Sequence, residues 1–334
     1  MSNFARGHQL KNPRKKSSRV LRVGSRSELG EAFIRGQISK AVPRNIPNFG
    51  SQYKWRRKLF SRIRNIDAVG GLTLIGSWSH GTAIADYSDW DFIVKLGGAC
   101  PASSGEAMEK LFRTLQLDSE RFALVDLDMP AICIRDPFDG STIDLVPAYD
   151  GSGGDYLIPS LSDASWMLSN PMAHLAFLSS VHKENWWVRK YIMLLKRWKY
   201  ANTIPISSLY LEMVVAQFCL SRQSDSVLAD MIEILRVLCV TQLSDLVDPT
   251  SASPRCISAL NSDLVEKSDI ISKITKSIEL LWLIQAADKS GSAADIARYS
   301  SELYPPGGEH IYNAKLPAYL TVYKKRRVTP RYSG

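Results

Sequence analysis

The chain has 334 residues, 45% of them hydrophobic, and its 42 Lys and Arg against 33 Asp and Glu give a net charge of +9. That length and apolar content suit one large domain or two ordinary ones. No apolar run is long enough to span a bilayer, and the opening MSNFARGHQLKNPRKK lacks the apolar stretch of a secretory signal. Five widely spaced cysteines, with no CxxC and no Cys/His cluster, argue against a disulfide framework or a structural zinc site. The expectation is a cytoplasmic protein with no membrane association.

Residues 1–27 carry eight basic residues and no acid, and residues 324–334 carry five and no acid, so the rest of the chain is mildly acidic. Two basic tails, 1–27 and 311–334, are therefore expected to flank the folded part. They read either as solvated, flexible tails or as a non-specific contact to nucleic acid or another polyanion. Residues 28–45 and 51–67 show helical patterning broken by Pro43, Pro47 and Gly50. A strand is expected at Leu72–Ile75, a tight turn at Gly76–Gly81 and a second strand around Asp91–Lys95. A helix follows near 106–116, then strands near 121–127, 131–135 and Thr142–Val146. From about residue 160 the pattern changes. Trp187, Tyr191, Leu194, Leu195 and Trp198 recur at helical spacing, and further helices are expected near 206–221, 225–241, 265–288 and 292–303. Arg189, Lys196 and Lys199 fall on a different face of the first of these helices. The chain thus divides into a catalytic core over 28–160 and a helical lobe over 161–310.

The chemistry concentrates in GSWSHGTAIADYSDWDFIVK, Gly76–Lys95. Gly76 lets backbone approach a phosphate where a side chain would collide, and Ser77 adds a hydroxyl and an amide. Twelve residues after Ser77 come Asp89 and Asp91, at a spacing that puts two strand residues on one face. Paired carboxylates are costly unless a cation lies between them. A third acid, Asp144, sits inside an apolar strand. Together Asp89, Asp91 and Asp144 suit two Mg²⁺ (or Mn²⁺) ions, which hold a nucleoside triphosphate and activate an attacking hydroxyl. Asp144 is also placed to accept that hydroxyl's proton. His80 lies in the phosphate turn, but two-metal chemistry needs no imidazole.

These residues resemble the signature of the polymerase-β-like nucleotidyltransferases, in which Gly-Ser precedes a pair of acids on one strand and a third acid on a later strand. IDLVPAYD (Ile143–Asp150) is similar to the third-acid strand of oligoadenylate synthases and cGAS-like enzymes. MLLKRW (Met193–Trp198), ISSLYLEM (Ile206–Met213) and VDPT (Val247–Thr250) resemble helical-lobe motifs of the same group. The likeness, over roughly residues 50–300, points to a bacterial cGAS/oligoadenylate-synthase-like nucleotidyltransferase (CD-NTase) of CBASS anti-phage systems. It implies an α+β fold with a polymerase-β-like core, a mixed sheet with helices, beside a helical C-terminal lobe.

The resemblance further implies that Asp89, Asp91 and Asp144 are the catalytic metal ligands, and that Gly76, Ser77, Lys196 and Ser208 bind the nucleotide. A tyrosine that stacks on the donor base in several relatives is replaced here by Leu209, with Tyr210 next, so stacking falls to Tyr210 or to another aromatic. The implied substrates are NTPs, ATP among them, and the implied product is a cyclic or linear oligonucleotide. Implied partners are a nucleic-acid or protein activator and a product-sensing effector, with the enzyme itself a monomer. Two other readings share the scaffold: an RNA-terminal nucleotidyltransferase of the CCA-adding or poly(A) type, and a catalytically silent nucleic-acid sensor.

Overall fold

The computed structural model describes residues 28–43, 51–66, 68–85, 87–116, 125–128, 130–160, 163–222, 226–251, 255–260 and 266–305. The two basic tails lie outside the described residues. In chain order the elements are α1 (Leu29–Ala41), α2 (Ser51–Arg64), β1 (Val69–Leu74), α3 (Gly76–His80), β2 (Trp90–Leu96), α4 (Ser104–Gln116), β3 (Val125–Asp128), β4 (Ala131–Arg135), β5 (Thr142–Asp150), β6 (Tyr156–Pro159) and β7 (Trp166–Ser169). Then come α5 (Pro171–Glu184), α6 (Val188–Ala201), α7 (Ser208–Ser221), α8 (Val227–Val240), β8 (Leu246–Val247), β9 (Cys256–Ile257), α9 (Lys267–Ser290) and α10 (Ala293–Leu303).

Alternating side chains organise the main sheet, whose strands run β1-β2-β5-β4-β3, with β6 joined to the end of β5 and β7 beyond it. Strands β2 and β5 are parallel, and the other pairs in the sheet are antiparallel. Phe92, Val94 and Leu96 of β2 point with Ile143 and Leu145 of β5 into a core closed by Leu59 and Ile63 of α2 and by Leu111 and Leu115 of α4. The intervening residues Ile93, Val146 and Ala148 belong to a second, smaller cluster. Strand periodicity therefore places Asp91 and Asp144 on the face opposite the α2/α4 layer.

The helices past residue 170 share a separate core around Trp198, Leu195, Leu211, Met213, Leu235 and Leu281. Their starts follow from the sequence. Asn170, Ser207, Ser226 and Ser292 each accept a hydrogen bond from a backbone amide in the first turn, and Pro171 opens α5. Gly291, at φ +74°, closes α9 in the left-handed conformation. From sequence the lobes divide at residue 160. In the structure β7 pairs with β6 beyond that point, while α1 buries Ile34 and Ile38 among the helices. Among the described residues no helix is long and apolar enough to cross a membrane.

Candidate active site

Parallel pairing of β2 with β5 sets Asp91 directly opposite Asp144. Asp89 stands just before β2 rather than inside it, with its side chain exposed. The Gly76–Gly81 turn closes over the same spot, because the amide of Ile75 donates to the carbonyl of Asp91 (2.9 Å). The turn is the short helix α3, capped by Gly81 at φ +70°. Gly76 adopts φ +64°, and a Cβ built there would lie 2.2 Å from Asp91 Oδ2. Only glycine combines that conformation with that approach. Ser77 accepts at its carbonyl from the amide of Thr82 (2.9 Å), which holds the turn shut.

Burial, then the carboxylate of Asp144, then that of Asp89, push the Asp91 carboxyl up to about 8, against an opposing pull from Lys196. Among the described residues no group of three or more His, Cys, Asp or Glu is arranged to hold a metal ion as it stands. The donors nevertheless fit a divalent cation. Two carboxylates face each other from adjacent strands, and their mutual repulsion is what a cation would reverse. The exposed Asp89 side chain can join them, and Gly76 places no Cβ against the Asp91 oxygen. A divalent cation held by these carboxylates would supply the positive charge that offsets their repulsion.

Behind the turn lies an ionic cluster joining both lobes. Glu212 of α7 accepts from Lys196 Nζ (2.5 Å) and Thr82 Oγ1 (2.6 Å) at one oxygen, and its other oxygen lies 2.7 Å from His80 Nδ1. Lys196 also donates to the carbonyl and hydroxyl of Thr82 (3.3 and 3.2 Å). Its ammonium therefore has acceptors inside the protein for all three protons. Lys199 donates to the carbonyl of Ile206 (2.7 Å) and to Ser208 Oγ (2.9 Å). His80, Lys196, Lys199 and Glu212 are each at most 4% exposed. The two lysines that sequence places on a distinct face of α6 thus form a buried polar seam rather than a solvated surface. Burial, then the neighbouring charge of Lys196, lower Lys199 to about 7.

Tyr210 is only 2% exposed, and its hydroxyl donates to the carbonyl of Ser244 (3.0 Å), so it belongs to the helical core and offers no ring to a nucleotide base. The Val247–Thr250 segment leads from the end of β8 into a turn, with Asp248 accepting from Thr250 and lying 2.8 Å from His174 Nε2.

Several solved structures share this architecture. CdnC of E. coli MS115-1, seen with ATP, superposes with a TM-score of 0.65 at 14% identity, covering 82% of this chain and 98% of that one. The CD-NTase CdnG of Bradyrhizobium diazoefficiens, in complex with GTP, gives 0.58 at 13% identity over 82% and 98%. DncV of Vibrio cholerae, a cyclic AMP-GMP synthase in complex with the linear intermediate pppA(3′,5′)pG, gives 0.59 at 13% identity over 84% and 86%. The chain has the CD-NTase fold. No family model and no curated protein matches it by sequence.

Within that CD-NTase fold, Gly76, Ser77, Asp91 and Asp144 come together where β2 and β5 run side by side. Lys196 is linked to the same turn through Thr82, while Ser208 is tied to Lys199. His80, Lys199 and Glu212 were not singled out by sequence as members of one cluster. Glu212 is 132 residues from His80, and only the packing of α7 on the turn brings them together. The one local signal is that Glu212 is the only charged residue in the apolar run Leu209–Cys219.

Proposed function

We propose that this protein is a Mg²⁺-dependent nucleotidyltransferase that joins NTPs into a short cyclic or linear oligonucleotide. The observation that carries this reading is the pairing of Asp91 with Asp144 beside Gly76, a position where a side chain would collide with the Asp91 carboxylate. Asp89, Asp91 and Asp144 would hold the divalent ions, which supply charge neutralisation for the triphosphate and a lowered pKa for the attacking hydroxyl. The backbone of Gly76 and the amide and hydroxyl of Ser77 grip phosphate oxygens. Asp144 accepts the proton of the attacking ribose hydroxyl. The new bond forms from that oxygen to the α-phosphorus, the α–β anhydride breaks, and pyrophosphate leaves with its electron pair. Lys196 contributes fixed positive charge behind the turn, and direct contact with a triphosphate would require it to leave Glu212.

Shared fold supports this reading. CdnC and CdnG are seen with ATP and GTP, and DncV with a linear dinucleotide intermediate. CdnC also forms a complex with a HORMA protein, which supports a protein partner here. Anti-phage signalling from the cytoplasm, with an effector that senses the product, belongs to the same proposal. The test is incubation of the purified chain with the four NTPs and Mg²⁺, followed by mass spectrometry. A short oligonucleotide formed without added RNA, and lost in the Asp89→Asn/Asp91→Asn double variant, is the expected result. Transfer only onto an RNA 3′ end would instead make it an RNA-terminal enzyme. No transfer, with cellular function intact in the double variant, would make it a silent sensor.

A further inference from the structure

Trp90, the first residue of β2, sits between Asp89 and Asp91, and strand alternation sends its ring to the side opposite Asp91. Trp78 immediately follows Ser77. The two rings stack at 4.1 Å between centroids and 11° between planes. The Arg56 guanidinium of α2 lies 4.9 Å from the Trp90 centroid. Arg56 is itself fixed. It is 5% exposed, donates to the fully buried Asp136 (2.6 Å), and also reaches Asp139 (3.1 Å) and Ser141 (3.0 Å). Those acceptors form the turn that feeds β5, three residues before Asp144. Asp136 and Asp139 brace the same turn by accepting from the amides of Phe138 and Ser141 (2.9 Å each).

One stack therefore links the phosphate turn, the Asp89/Asp91 segment and the approach to Asp144. Neither tryptophan is fully buried, so filling space is not their only demand. A near-parallel overlap is lost when the turn slides along the strand, whereas an ordinary apolar contact tolerates such a shift. Trp78 Nε1 adds a second tie, donating to the carbonyl of Ser88 (3.4 Å), the residue before Asp89.

We propose that Arg56, Trp90 and Trp78 are positioning residues that hold the Ser77 turn in register with the acidic strand during nucleotidyl transfer. This inference rests on the nucleotidyltransferase reading above. None of the three touches the reacting atoms in this scheme. Their effect comes through Ser77 and Asp91, to which the two rings are joined by backbone.

The experiment compares Trp78→Leu with Trp78→Phe in the full chain, reading kcat, KM for ATP, melting temperature, and Mn²⁺ affinity by calorimetry without nucleotide. Trp78→Leu should lower kcat roughly tenfold or more while KM shifts less than about threefold, the mark of lost geometry in the transition state. Its Mn²⁺ affinity should match wild type, because the carboxylates are not displaced. Trp78→Phe, which keeps a stacked ring, should recover most of the rate. A folded Trp78→Leu that keeps kcat within about twofold overturns the proposal, as does a Phe variant no better than Leu. If Trp78→Leu does not fold, Trp90→Leu against Trp90→Tyr reads the same contrast, and equal rates in that pair overturn it. An inactive wild type removes the reaction and the positioning role with it. An active wild type matched by Trp78→Leu removes only the positioning role.

Discussion

Asp91→Asn is expected to cut nucleotidyl transfer by about a thousandfold or more, since it removes a charge that the transition state needs. The same substitution should make the metal-free protein more stable. Burial and the carboxylates of Asp144 and Asp89 raise the Asp91 carboxyl from its ordinary 3.8 to about 8. Between those values the folded chain holds a proton that the unfolded chain has released. The contribution of Asp91 to stability is therefore full at low pH and falls as pH rises through that window. Asparagine keeps the shape and removes the repulsion. Thermal melts in EDTA at pH 5 and pH 8 check this. The gap between the two pH values should narrow in Asp91→Asn, with the variant melting higher at pH 8, by about 1–2 °C for each kcal/mol of relieved repulsion. Mg²⁺ should raise the wild-type melt at pH 8 and leave the variant nearly unmoved. A variant less stable than wild type at pH 8 would contradict this electrostatic picture.

Glu212→Gln is expected to produce a large loss of stability, about 3–5 kcal/mol, by leaving buried charge without its partner. Glu212 is the carboxylate that binds Lys196 and lies against His80, and Lys199 feels its charge as well. Burial works to raise Glu212, but Lys196 and then His80 outweigh it and hold the carboxyl well below its ordinary 4.5. Its stabilisation is present above 4.5 and is lost as pH falls through the depressed value, the reverse of Asp91. Urea titrations at pH 7 measure the loss. The Lys196→Met/Glu212→Leu double variant should fall less than the sum of its single variants, because removing both charges leaves neither stranded. Additive losses, or a Glu212→Gln variant within about 1 kcal/mol of wild type, would show that the cluster is not coupled in this way.

Much of this architecture is legible in sequence because it is local. The two acids at i and i+2 sit beside apolar Phe92–Val94, and alternation alone orients Asp91. Asp144 within Ile143–Val146 reads as a strand on the same grounds, and its alignment with Asp91 follows once the two strands pair in parallel. Asp89 falls just outside β2, since a strand end depends on pairing and not on the residue itself. Helix α5 carries little amphipathic signal. Its buried face includes His174 beside Leu178 and Val181, so no apolar stripe announces it. Lys196 and Lys199 look like a basic helix face until α7 supplies Glu212. Tyr210 looks available for a base until helix phase turns it inward. The ionic cluster joins segments distant in sequence, and the tryptophan stack depends on how α3 packs against β2, so residue spacing holds no trace of either contact.

Crystals grown with Mn²⁺ and a non-hydrolysable ATP analogue, measured at the manganese edge, test the proposed metal centre. Two anomalous peaks are expected, bounded by the carboxylates of Asp89, Asp91 and Asp144 and lying under the Gly76–Ser77 turn. Nucleotide bound with no anomalous peak at these carboxylates, or with metal held elsewhere, would contradict it.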